Sequence, residues 1–283
     1  MRVLKTGFLL IALTLLLVLG GEAISGQNGM LLGLAIAFVM NISAYFFSDK
    51  IALKSSHAQP VTREQAPQLY GVMERLCAKG NIPMPKLYVI PEEAPNAFAT
   101  GRSPNHASVA ATAGLLKLMN DDELEGVIAH ELSHVRNYDI LITSVAAMLA
   151  GALTVLAHIA RWGMIFTGYG GRDRGRGNPI AMLLMIIVAP IAALLLQLGI
   201  SRQREYAADA AGVKLVGHPY GLISALQKLG EYNKRIPMNV PPTTASLFIV
   251  APLSARAVFS ALFSTHPPLS ERIAILQNIT IGR

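Results

Sequence analysis

Four long stretches of this chain carry almost no charge, and a soluble core cannot bury that many. They cover residues 7–20, 30–47, 140–158 and 180–200, the last with Pro190 inside it. A helix needs about 20 predominantly apolar residues to cross a bilayer. The second and fourth stretches meet that length, and the first and third approach it. Only 14% of the residues are charged, against roughly 25% in an average soluble domain. A wholly soluble globule and a disordered chain are both poor descriptions of such a sequence.

The first stretch follows Arg2 and Lys5, as a cleaved signal segment would. Ala23-Ile24-Ser25 is a poor cleavage site, however, and a second uncharged stretch begins within ten residues. A helical hairpin is the better expectation. Lys50 and Lys54 follow it, so the positive-inside rule places both of its ends in the cytoplasm. The net charge of +7 suits a basic membrane protein. Nucleic-acid binding is not expected, because the basic residues are scattered and aromatics make up only 6%. The single cysteine, Cys77, excludes an internal disulfide and a multi-thiolate metal site. It sits in an apolar helical pattern and reads as a core thiol.

Residues 49–139 read as soluble. Helical spacing over residues 63–79 aligns Leu69, Val72, Met73 and Leu76, with Gly80 as a stop. Residues 86–90, 96–101 and 107–113 read as strands. A helix begins at Asn120, where Glu123 completes a capping box and Asp121 and Asp122 suit the first turn. The third and fourth apolar stretches then interrupt the soluble part. Their Gly-rich connection, residues 161–178, holds Arg161, Arg172, Arg174 and Arg176 against Asp173. An amphipathic helix is expected at residues 218–233 and a final helix at 269–279, with a Pro-rich loop at 234–243. The expected division is an N-terminal transmembrane hairpin (1–48), the first half of a catalytic domain (49–139), two membrane-associated helices (140–200) and the second half (201–283). If the last two apolar stretches both span, the arginine loop faces the periplasm, against the positive-inside rule. If they enter and return, it stays cytoplasmic.

The chemistry is concentrated in His130-Glu131-Leu132-Ser133-His134. A spacing of four stacks both imidazoles on one helical face, where two nitrogens can reach one zinc ion. Glu131 lies beside the first of them and can take a proton from a water that zinc has acidified. The bland alternative is a solvated helix. The apolar flanks Val127, Ile128, Ala129, Leu132 and Val135 oppose it, since unpaired His and Glu suit a core poorly.

A catalytic zinc keeps three protein ligands and one open position. His158 ends an apolar stretch, and His218 sits in a Gly-His-Pro turn. Asp173 is in the arginine loop, Glu231 is near a helix end, and His266 and Asp139 stay open as alternatives. Glu205 is better placed, in a helical Arg204–Ala211 stretch with Asp209 four residues on. Glu205 can bind zinc while Asp209 accepts an N–H from a ligand histidine and fixes its tautomer.

HELSH followed by EYAAD, within SRQREYAAD, resembles the HtpX-type membrane zinc endopeptidases, gluzincins related to the CAAX prenyl proteases. The resemblance covers nearly the whole chain, from the hairpin through NAFATG to Thr265-His266-Pro267-Pro268. It implies an α+β, mostly helical fold: a transmembrane anchor plus a gluzincin-like metalloprotease domain with a small sheet. It further implies one Zn2+ per chain and a multi-pass protein of the bacterial inner membrane, its catalytic domain in the cytoplasm, cutting misfolded or damaged membrane proteins. By this resemblance His130, His134 and Glu205 are the ligands, Glu131 the general base, and Asp209 the carboxylate orienting a ligand histidine. Asn96, Ala97 and Phe98 match an edge strand on which substrate can add as a further strand, and His266 matches a donor to the developing oxyanion. Asp139 fits the pattern without an assigned role. The competing expectations are a silent membrane protein with a structural or regulatory zinc site, and a processing protease for one substrate.

Overall fold

The computed structural model describes residues 2–150, 153, 201–235, 247–250 and 267–279. The fourth apolar stretch, the arginine loop and His266 lie outside the described residues. Arg2–Ser55 (α1) is helical throughout yet doubles back around Gly26, whose φ of +57° is open to glycine at little cost. The two arms touch at backbone distance. A Cβ on Gly21 would lie 2.1 Å from the Gly29 carbonyl oxygen, and one on Gly33 would lie 2.2 Å from that of Leu17. Small residues permit this approach. Asn41 Nδ2 ties the arms together, donating to Thr14 Oγ1 at 2.8 Å.

Gly26–Ser55 is long and apolar enough to cross a membrane, its most apolar 18-residue window having a mean hydropathy of 2.0. Thr6–Glu22 is apolar but shorter. Phe8, Ile11, Leu15, Leu31, Leu34 and Phe38 point outward and are exposed, a surface that water does not favour and lipid does. A further apolar helix, Asp139–Ala150 (named α5 below), packs Leu141, Ile142, Val145 and Leu149 against Leu9, Leu13 and Ala44 of the hairpin.

After the hairpin the chain forms Gln59–Pro60 (β1) and Pro67–Gly80 (α2). The helix starts later than periodicity suggests, because Pro67 at its first turn sets φ and needs no hydrogen bond. It ends at Asn81 in the left-handed region (φ +47°), one residue beyond Gly80. Leu69, Val72, Met73 and Leu76 are buried on its inner face. Lys86–Ile90 (β2), Ala97–Gly101 (β3) and Ala107–Thr112 (β4) complete a four-stranded sheet of order β1-β2-β4-β3. β2 runs parallel to β4, with Lys86 opposite Ser108, and β3 runs antiparallel to β4, with Ala97 opposite Ala111. β3 is therefore an edge. A short helix, Ala113–Leu118 (α3), leads to Asp121–Arg136 (α4). The Asn120–Glu123 capping box of α4 is fully made.

α4 is the core of the domain, with Leu124, Val127, Ile128, Ala129, Leu132 and Val135 all buried. Arg202–Val216 (α6) and Tyr220–Arg235 (α7) pack on it, and Leu269–Gln277 (α8) packs on those two. Glycines set the spacing. A Cβ on Gly126 would meet Leu222 N at 2.5 Å, and one on Gly221 would meet the Asp122 carbonyl oxygen at 2.1 Å. Gly212 brings α6 within 3.1 Å of the His130 backbone by the same measure. The result is a mostly helical α+β fold with a small mixed sheet and an apolar helical anchor.

Candidate metal centre

One turn of α4 separates His130 from His134, and their Nε2 atoms face each other at 3.2 Å. α6, held close by Gly212, delivers Glu205. Its Oε1 lies 3.4 Å from His134 Nε2 and its Oε2 lies 3.7 Å from His130 Nε2. All three candidate ligand atoms fall within 4.8 Å of one another. Metal–ligand bonds of 2.0–2.2 Å in a tetrahedral arrangement would set ligand atoms about 3.3–3.6 Å apart. The donor set and its spacing therefore fit a divalent metal with one position left open, and two imidazoles with one carboxylate suit zinc.

Each imidazole is held from behind. His130 Nδ1 is 2.8 Å from Asp209 Oδ1, and Asp209 is gripped in turn by Arg272, whose Nε donates to Oδ2 at 2.8 Å and whose Nη2 donates to Oδ1 at 2.7 Å. Arg272 Nη2 also lies 3.4 Å from His130 Nδ1. Guanidinium cannot accept a proton bond, so the Nδ1 hydrogen goes to Asp209, and Nε2 presents its lone pair to the ligand cluster. His134 Nδ1 approaches Asp139 Oδ2 at 3.4 Å. This contact gives Asp139 the role that residue types alone do not assign. The chain leaves α4 at Arg136, turns through Tyr138 at φ +60°, and starts α5 at Asp139, which brings the carboxylate back toward His134.

Electrostatics follow from this burial. Desolvation pulls His130 below the usual imidazole range, against the pull of Asp209. Burial alone would also depress His134, but Glu205, Asp139 and Glu131 together lift it to about 9. Burial raises the Asp209 carboxyl, yet Arg272 and His130 more than compensate and keep it low. Glu131 is 3% exposed. Its burial pushes the carboxyl up to about 8, although the Ala99 backbone N–H donates to it and opposes the shift. That bond links the Glu of the motif to the edge strand.

The edge itself is already partnered. Ile249 N donates to the Ala97 carbonyl oxygen at 2.9 Å. Asn96 Nδ2 donates to the Val250 carbonyl at 2.8 Å, and Val250 N donates back to Asn96 Oδ1 at 3.3 Å. Phe98 packs edge-to-face on Phe248, with centroids 5.0 Å apart. Asn96, just before β3, and Ala97 and Phe98 within it are all buried beside residues 247–250. The structure thus gathers His130, Glu131, His134, Glu205 and Asp209 at one place and sets Asn96, Ala97 and Phe98 on the adjoining edge. Arg272 joins them without being expected from the sequence. Its one signal there is a lone charge on the face shared by Leu269 and Leu276, a core position of α8.

A helix bearing HExxH, closed by a glutamate from a following helix and flanked by a strand edge, defines a gluzincin-like metallopeptidase. Residues 63–280 match the model of Peptidase family M48, and the chain belongs to that family. It is 54% identical over 273 residues to a "Protease HtpX homolog" of Desulfatibacillum aliphaticivorans, covering 96% of this chain and 88% of that one. It is 50% identical over 282 residues to the one of Syntrophotalea carbinolica, covering 99% of this chain and all of that one. Among solved structures it resembles S. mikatae Ste24p, with a TM-score of 0.51 and 21% identity. That likeness, which concerns the fold, covers 97% of this chain but 65% of the longer neighbour.

Proposed function

We propose that this protein is a zinc-dependent endopeptidase of the bacterial inner membrane, with one Zn2+ per chain, that cuts misfolded or damaged membrane proteins on the cytoplasmic side. His130, His134 and Glu205 hold the ion, which supplies Lewis-acid activation of a water and of the scissile carbonyl. Glu131 takes the proton of the attacking water and passes it to the leaving amide nitrogen. His266, beside Pro267, donates to the oxyanion. Asp209 and Asp139 fix the two imidazole tautomers. The observation that carries this reading is the triangle of His130, His134 and Glu205 beside a buried Glu131. Three protein ligands leave a fourth position for chemistry, whereas a structural zinc site would be closed by four.

Substrate adds as a strand along Asn96, Ala97 and Phe98, through main-chain bonds that read no sequence. Residues 247–250 hold the Ala97 carbonyl and give way to it. A membrane-derived substrate is supported by the position of this edge. Arg102, just past β3, lies over the Phe46 ring at 5.8 Å, and Lys50 lies over Phe47 at 5.4 Å. Aromatic and basic residues gather where lipid headgroups begin, so the cleft opens at that level. Arg2, Lys5, Lys50 and Lys54 argue for a cytoplasmic domain, and residues 140–200 add two membrane-associated segments between its halves. Zinc analysis and cleavage of a model substrate by the purified, detergent-solubilised protein, with and without chelator, test the proposal. A zinc-loaded protein that cuts nothing would favour a structural site. Cleavage of one membrane protein among many offered would favour a dedicated processing enzyme.

A further inference from the structure

We infer that Arg272 is a positioning residue of the metal site, acting on ligand His130 through Asp209. The inference rests on His130 being a zinc ligand. Arg272 is fully buried, 0% exposed, and enters the site from α8, far along the chain from α4. Three of its nitrogens are committed. Nε and Nη2 form a two-pronged grip on Asp209, and Nη1 donates to the Ile249 carbonyl at 3.2 Å. Such a fork fixes the plane of the carboxylate as well as its position. Asp209 Oδ1 is thereby aimed at His130 Nδ1, 2.8 Å away.

General stability does not explain this placement. A buried ion pair often contributes no more than well-packed apolar residues of the same volume, and the neighbours on this face of α8 are apolar. What an apolar residue could not supply is direction. Without the fork, Asp209 rotates about its own side-chain bonds, and the imidazole that it orients loses its fixed tautomer. Removing an outer partner of a ligand typically costs about 10–100-fold in metal affinity. The Ile249 contact adds a second attachment. The segment that covers the β3 edge, residues 247–250, and the acid that aims His130 are held by one guanidinium.

The test measures zinc affinity of the full-length, detergent-solubilised protein by chelator competition. Wild type, Arg272→Gln, Arg272→Lys, Asp209→Asn and the Asp209→Asn/Arg272→Gln double variant are compared. Arg272→Gln should weaken zinc binding about 10–100-fold. Arg272→Lys, which keeps the charge without the fork, should recover only part of that loss. In the Asp209→Asn background, Arg272→Gln should add no more than about twofold, because its two short bonds go to Asp209 and only the longer approaches to the ligand cluster, His130 Nδ1 at 3.4 Å and Glu205 Oε2 at 4.0 Å, remain. If Arg272→Gln does not fold, Arg272→Lys carries the test, on protein whose circular dichroism matches wild type. Affinity within about twofold of wild type in a folded Arg272 variant would overturn the inference and leave the metal reading intact. So would losses that multiply in the double variant. Absence of zinc from the wild-type protein would overturn both.

Discussion

Asp139 and Asp209 hold the two proposed ligand histidines unequally, and zinc affinity should show it. The Asp209 contact to His130 is 2.8 Å, within the range of a charge-assisted hydrogen bond, and both side chains are almost wholly buried. The Asp139 contact to His134 is 3.4 Å, and the His134 side chain is 14% exposed. The longer bond is weaker, and water can reach the imidazole to replace it. Outer partners of metal ligands span about 10–100-fold in affinity. Asp139→Ala should therefore fall at the mild end, about 10-fold or 1.4 kcal/mol, and Asp209→Ala at the severe end, about 100-fold or 2.7 kcal/mol. Dissociation constants from competition with a chelator of known zinc affinity resolve such a difference easily. Cleavage rates at saturating zinc form a second readout, and both variants should recover in part. A larger loss for Asp139→Ala than for Asp209→Ala would refute the reasoning from distance and exposure.

Glu131→Gln should leave a folded, zinc-loaded protein whose peptide cleavage falls by about 10²–10⁴-fold; metal analysis beside a cleavage assay checks this, and full activity free of wild-type contamination would remove Glu131 as the base. Glu205→Ala should lose most of its zinc under a chelator challenge that wild type withstands, and equal retention would strike Glu205 from the ligands. Ile249→Pro removes the N–H that holds the Ala97 carbonyl. A hydrogen bond of about 1 kcal/mol corresponds to roughly a fivefold lower KM for an extended substrate, and an unchanged or higher KM would show that residues 247–250 do not compete with substrate. A Gly170→Cys reporter in a Cys77→Ala background should react with a membrane-impermeant thiol reagent in cells with permeabilised outer membranes. Labelling only after inner-membrane lysis would place the arginine loop in the cytoplasm.

Features set by neighbours along the chain are legible in the amino-acid sequence alone. The i, i+4 spacing puts His130 and His134 on one face, and the same spacing aligns Glu205 with Asp209. The capping box fixes where α4 begins, because its two bonds form within four residues. Features made by tertiary approach are not legible in this way. The use of Asp139 depends on the left-handed turn at Tyr138, which nothing in the residue types requires. Arg272 meets Asp209 across 63 residues of chain, and a single arginine in a short helix looks like a solvated charge until its neighbours are known. The partner of the β3 edge, residues 247–250, follows a Pro-rich stretch of sequence and shows no alternating pattern. β1 is only two residues long and carries no periodicity at all.

The contacts at Gly126, Gly212 and Gly221 bear on how mutational data for this protein should be interpreted. None of these glycines offers a ligand atom or a proton. Yet a methyl group on Gly126 or Gly221 would collide with backbone on the facing helix, and backbone, unlike a side chain, has no other rotamer to adopt. The two helices would have to separate, and overpacking of this kind costs typically about 1–3 kcal/mol. At Gly212 the neighbour is the His130 backbone itself, so the displacement falls on a proposed ligand. A genetic screen scored only by loss of proteolysis would rank these positions beside His130 and Glu131 and suggest a larger catalytic apparatus than exists. Protein abundance, scored in the same screen, separates the two kinds of position: the glycine variants should be depleted from the membrane fraction, while Glu131→Gln accumulates at wild-type level.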